Sequence, residues 1–127
     1  MDTILPIFKA LSDRNRLRIF AALMQYNELC ACQIVELLQI TGATASRHLT
    51  QLVHAGLLQS RKEGRWIYYC LKANKFNSEV AERWLKDRLS QSEFFNSDLK
   101  NLKKITVSDR EDLCRKQRGE VCCPVKQ

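Results

Sequence analysis

The side chains best suited to chemistry in this 127-residue chain are its six cysteines. Cys30 and Cys32 stand two residues apart, where an extended Glu28-Leu29-Cys30 stretch runs into a helix. As the chain bends from extended to helical, two thiols at that spacing can turn toward a common point, and the positive helix end favours thiolate over thiol. A thiolate pair is a soft chelate that suits a soft ion. Two ligands do not close a site. A trigonal centre such as As(III) or Sb(III) takes a third sulfur, and tetrahedral Zn(II) or Cd(II) takes a fourth ligand. Cys122 and Cys123 are the reserve: adjacent cysteines close only a strained disulfide, so they read as two free thiols on a tail that can fold back. Cys114 is a further candidate. Cys70 alternates with Tyr69 and Leu71 and reads as an incidental thiol facing away from the core. A single cysteine at position 30 would read as a small buried hydrophobe. The pair at a helix start, with a second pair elsewhere, favours ligands.

A second set of residues carries donors at helical spacing. Across residues 43–55, Ala45, Leu49, Leu52 and Val53 form an apolar side, and Thr44, Ser46, Arg47, His48 and Gln51 lie opposite. Arg47 suits a guanine edge or a phosphate, and Gln51 suits adenine in the major groove. Thr44, Ser46 and His48 are short donors for phosphates or base edges, bracing of the helix being the alternative for His48. Arg61, Lys62 and Arg65 surround Gly64 with Glu63 as the only acid. Such a tip grips the DNA backbone or minor groove and adds salt-sensitive, sequence-independent affinity.

These residues need elements to hold them. Residues 3–11 read as a short helix with Pro6 in the first turn and Ile4, Leu5, Phe8 and Leu11 near helical spacing. Ser12 or Asp13 caps a second helix with Leu17, Phe20, Ala21 and Met24 as its stripe. A third helix runs from about Cys32 to Leu38. Thr41-Gly42 makes a turn and cap, and Gly56 stops the donor-bearing helix. Two helices joined by a tight turn form a helix-turn-helix. Two β-rich segments, 58–61 and 66–71, flank Lys62-Glu63-Gly64-Arg65 as a hairpin, which in this position is a wing. Asn77 or Ser78 caps a long helix to about Leu89, with Val80, Ala81, Trp84, Leu85 and Leu89 apolar. Phe95, Leu99 and Leu102 can continue a helix, and residues 108–111 have the form of a capping box.

Lys and Arg number 21 against 14 for Asp and Glu, a net charge of +7 that suits a polyanionic partner. The longest apolar run, residues 19–24, is far too short for a bilayer, and no signal peptide precedes it, so no membrane partner is expected. The expected location is the cytoplasm, where thiols stay reduced. Four glycines are too few for a phosphate-cradling loop, and no Cys-x-x-Cys pair is present, so no enzyme is expected.

Glu28-Leu29-Cys30-Ala31-Cys32 resembles the metal-binding box of the ArsR/SmtB family of winged-helix repressors. Ser46-Arg47-His48-Leu49, Gly56-Leu57-Leu58 and Glu63-Gly64-Arg65-Trp66 with Tyr69 resemble that family's recognition helix and wing. The resemblance covers residue 4 to about residue 90. It implies a homodimer built from the first and last helices of that region, repression by operator binding, and release by a metal ion or metalloid. The box is typical of the arsenic-responsive branch, with cadmium and lead sensors close by. Three departures stand out. Gln33 replaces a frequent Asp, Val35 occupies the place of a third box cysteine, and residues 77–91 hold no His for the family's other site. In addition, Gly42 replaces a polar residue at the start of the recognition helix.

The expectation is therefore a mainly α, homodimeric winged helix-turn-helix with a small β-hairpin. Residues 1–91 form the DNA-binding and dimerisation domain, and 92–127 an extension carrying Cys114, Cys122 and Cys123. Cys30, Cys32, Cys122 and Cys123 are the expected ligands for As(III) or Sb(III), with Cd(II), Pb(II) or Zn(II) as alternatives. The expected partner is double-stranded operator DNA. Thiol oxidation is an alternative input on the same fold, and a small thiol oxidoreductase is the alternative from another class.

Overall fold

The computed structural model describes residues 4–72 and 79–107. The order of elements is α1 (Ile4–Leu11), α2 (Arg14–Gln25), β1 (Leu29–Cys30), α3 (Ala31–Leu38), α4 (Gly42–His54), β2 (Leu58–Glu63), β3 (Trp66–Leu71), α5 (Glu79–Leu89) and α6 (Glu93–Val107). Cys114, Cys122, Cys123, the Asn77/Ser78 cap and the capping box at 108–111 lie outside the described residues, as do the side chains of Val80 and Ala81.

Local chemistry sets most boundaries. Of the two candidate caps for α2, Asp13 is the one used: its carboxylate accepts from the Arg16 N–H at 3.1 Å. α3 begins one residue earlier than the spacing suggested, with Cys30 as N-cap. Gln33 Oε1 accepts from the Cys30 N–H at 2.8 Å, half of a capping box. Gln39 closes α3 in the left-handed region at φ 54°, where a non-glycine residue is uncommon. Thr41 caps α4 by accepting from the Thr44 N–H at 3.2 Å. Gly56 (φ 83°) and Gly64 (φ 62°) supply the positive φ that ends α4 and turns the wing.

The hairpin is longer than its β-rich segments alone indicated, extending to Glu63 on one side with Gly64-Arg65 as the turn. The Glu28-Leu29-Cys30 stretch is more than an extended link. β1 pairs antiparallel with β3, so the sheet has three strands in the order β1-β3-β2. Leu29 faces Tyr69, and Cys30 faces Tyr68.

A main core unites these layers, with a smaller cluster of Ala21, Leu89 and Phe95 beside it. Ile19, Phe20, Leu29, Ile34, Leu49, Leu52, Leu57, Leu58 and Leu102 are fully buried. Leu102 belongs to α6, which packs on α2 and α3. α6 is thus a separate helix after a break at 90–92, and it adds Phe95, Leu102 and Ile105 to the buried set. α1 turns a different face inward than its pattern indicated. Ile7 and Ala10 are buried, while Ile4, Leu5 and Phe8 are 45%, 59% and 56% exposed. Trp84 of α5, expected in an apolar stripe, is 61% exposed. Among the described residues no helix is long and apolar enough to cross a membrane.

Candidate DNA-binding and thiol sites

α4 divides as its period requires. Ala45, Leu49 and Leu52 are buried, and Arg47 and Gln51 are exposed one turn apart on the outer side. Thr50 and His54 are exposed on the same side. Steps of three and four residues from Arg47 and Gln51 reach both, so helical spacing is the signal that points to them. Ser46 and Thr44 are half-buried, and the Thr44 hydroxyl accepts from the Thr41 hydroxyl at 2.9 Å. Thr44 is therefore tied into the cap.

His48 takes the bracing position that the sequence left as its alternative. Its side chain is only 15% exposed and turns toward the α1–α2 junction, with Nδ1 3.3 Å from Arg16 Nη1 and 3.9 Å from Asp13 Oδ2. Arg16 Nε in turn donates to the Ala10 carbonyl at 2.7 Å. His48 thus braces the recognition helix against α1 and α2. Burial pushes its pKa down; Asp13 opposes this, and Arg16 and Arg47 reinforce it. For Asp13 burial works upward, but the Arg16 N–H and the charges of His48 and Arg16 outweigh it, leaving the carboxyl below its ordinary value.

On the wing, Lys62 and Arg65 flank the turn in exposed positions, with the Arg65 guanidinium 5.2 Å from the Trp66 ring centre. Arg61 is half-exposed but engaged. It donates to Glu28 and Glu63 and lies 4.6 Å from the Tyr68 ring centre. In this DNA-free state its donors face the two carboxylates.

Cys30 and Cys32 are both fully buried at the start of α3. Cys30 is a free thiol, and Cys32 is disulfide-bonded. Among the described residues no third His, Cys, Asp or Glu joins them in a metal-binding group. Burial pushes the Tyr69 phenol up, and its electrostatic interaction with Cys30 works in the same direction. Cys70 is half-buried on β3, with Gln59 Nε2 3.5 Å from its sulfur, in keeping with a thiol that stands apart from the box.

The far end of α3 is also held. Arg18 donates to both oxygens of Asp98 at 2.9 Å and to the Leu37 carbonyl at 3.2 Å. Asp98 is 6% exposed, so a buried ion pair joins α6 to α2 and to the last turn of α3. Charge composition alone did not reveal this pair, whose members are 80 residues apart.

A helix-turn-helix with an exposed donor-bearing second helix, followed by a basic hairpin, defines the winged helix-turn-helix class of DNA-binding regulators. Within that class the chain belongs to the arsR family of bacterial regulatory proteins. Residues 13–60 match the family model described as "Bacterial regulatory protein, arsR family". The chain is 31% identical over 123 residues to the arsenic resistance transcriptional regulator ArsR2 of Pseudomonas putida, covering 97% of this chain and 100% of that protein. It is 45% identical over 65 residues to the cadmium resistance transcriptional regulatory protein CadC of Listeria innocua, covering 51% of this chain. That match spans only 55% of the CadC protein. Among solved structures, the homodimeric winged helix-turn-helix DNA-binding domain (fragment 1-100) of Mb0332 from Mycobacterium bovis is similar at a TM-score of 0.56 and 29% identity. That similarity covers 70% of this chain and 76% of that one.

Proposed function

We propose that this chain is a cytoplasmic, non-enzymatic repressor that binds operator DNA as a homodimer and is released by As(III) or Sb(III). Arg47 and Gln51 read bases from α4, Ser46 and Thr44 position that helix, and Lys62 and Arg65 grip the backbone. Two such helices enter successive major grooves of an inverted repeat, about one helical turn apart. The exposed apolar faces of α1 (Ile4, Leu5, Phe8) and α5 (Trp84) support dimerisation through these helices. A group of large exposed apolar side chains, as on α1, marks an interaction surface.

Cys30 and Cys32 supply two thiolates, and Cys122 or Cys123 supplies the third, in keeping with the trigonal preference of these ions. The observation that carries the reading is that the Cys-x-Cys pair opens α3, the first helix of the helix-turn-helix, and that its Cys30 also ends β1, which pairs with the wing strand β3. Drawing the two sulfurs onto one ion strains both DNA-contacting parts. Allosteric coupling of roughly 1–3 kcal/mol, whose upper end is about a hundredfold in affinity, suffices for release. Cd(II), Pb(II) and Zn(II) are the alternative inducers, since relatives include a cadmium resistance regulator.

Operator affinity of reduced Cys30→Ser and Cys32→Ser proteins, measured with and without arsenite, tests this. Both variants are expected to bind DNA normally and to ignore arsenite; release at wild-type arsenite concentrations would remove these cysteines from the site. A second reading is favoured by one observation, the disulfide at Cys32. In it, two-electron oxidation of two thiols is the input. Operator release by diamide but not by arsenite would select it.

A further inference from the structure

Glu28 stands two residues before Cys30, and its carboxylate receives a fork of two hydrogen bonds from Arg61, Nε to Oε2 at 2.6 Å and Nη2 to Oε1 at 2.8 Å. Arg61 is on β2, which does not pair with β1; β3 lies between them. Tyr68 of β3 is opposite Cys30 on one side and opposite Arg61 on the other. Residues directly opposite in a ladder project to the same face. Cys30, Tyr68 and Arg61 therefore form one row across the sheet, and the Arg61 guanidinium lies over the Tyr68 ring.

Arg61 thus reaches the cysteine segment by two routes. It stacks on the residue whose backbone pairs with Cys30, and it forks onto the carboxylate that precedes the pair. A bidentate Arg–carboxylate fork fixes orientation as well as distance. Arg61 also donates to Glu63, the last residue before the turn, so the same guanidinium holds the tip that carries Lys62 and Arg65. A half-exposed ion pair adds little to stability, so its effect belongs in the relative position of the parts it joins.

We propose that the Glu28–Arg61 fork is a coupling strut that ties the wing tip to the cysteine segment, so that gathering Cys30 and Cys32 on a thiophilic ion displaces the wing as well as the recognition helix. The strut rests on the reading of Cys30 and Cys32 as the inducer site. Arg61 is in this account a positioning residue, and the DNA contacts of the wing belong to its neighbours.

The test uses the full-length reduced protein, a duplex it selects from random-sequence DNA, and arsenite. Arsenite binding is followed by thiolate absorbance, and DNA affinity is measured with and without arsenite for wild type, Glu28→Gln, Arg61→Gln, the double variant and Lys62→Gln. Glu28→Gln and Arg61→Gln are expected to bind arsenite as wild type does. Each is expected to cut the arsenite-induced loss of DNA affinity by about tenfold, with no further fall in the double variant. Lys62→Gln is expected to weaken DNA binding in both states and leave their ratio unchanged. Wild-type ratios in Glu28→Gln and Arg61→Gln, with wild type itself responding, would overturn the strut. Arsenite bound by wild type without any loss of DNA affinity would instead overturn the inducer reading on which it rests.

Discussion

At the scale of single residues, His48 and Arg61 carry the same lesson from opposite elements. Both have the right chemistry for DNA, and both are turned to internal partners. The inward turn of His48 was legible. It lies three residues after Ala45 and four before Leu52, both buried, so helical phase places it at the edge of the apolar side. The pairing of Arg61 was not legible, because Glu28 is 33 residues away and comes near only through the β1-β3-β2 order. His48 gives a pH prediction. Burial lowers its pKa in the folded protein, so the unfolded chain takes up a proton first as pH falls. Stability from neutral His48 is fully present above its ordinary value of 6.5 and is lost as pH drops through the lower folded-state value. Melting temperatures at pH 7.5 and 5.5 should therefore differ less for His48→Gln than for wild type. An unchanged difference would show that His48 does not carry this dependence.

At the scale of elements, the helices that present one apolar stripe were read within a residue or two of their observed ends. β1 and α6 were not. A two-residue strand has no periodicity to detect, and its role follows from pairing with β3 across the fold. α6 was visible as Phe95, Leu99 and Leu102, but its buried Asp98 interrupts that stripe and makes sense only with Arg18. Breaking such a pair from one side leaves an uncompensated charge, which costs about 3–5 kcal/mol. Asp98→Ala should lose stability on that order in urea denaturation. Replacing both partners, as Arg18→Met with Asp98→Leu, should recover most of it. Equal losses in the single and double variants would mean that the pair is not the source. The single variant should also loosen α3, since Arg18 holds the Leu37 carbonyl as well.

At the scale of the whole molecule, the winged helix-turn-helix was legible because each of its parts carries its own local signature, and the parts follow one another in the chain. The assembly was less so. Which apolar residues leave the core depends on how α1 packs, and α1 leaves Ile4, Leu5 and Phe8 at the surface while burying Ile7 and Ala10. Leu5→Glu combined with Trp84→Glu should give a folded monomer by sedimentation, because both side chains are largely exposed within one protomer. Its affinity for a two-half-site operator should fall by 10²-fold or more, as linked binding is lost. A dimer that survives both changes would place the interface elsewhere.

Full burial of Cys30 and Cys32 also has a consequence in time. If these two sulfurs are the inducer site proposed above, an ion in solution meets neither until the first turn of α3 opens, so the speed of response is set by that local opening and not by diffusion. Gln33, which bonds the Cys30 N–H, is one latch on that turn. On that reading, loosening the latch would quicken the alarm and tightening it would delay the alarm, while the equilibrium grip on the ion would be governed by the sulfurs themselves.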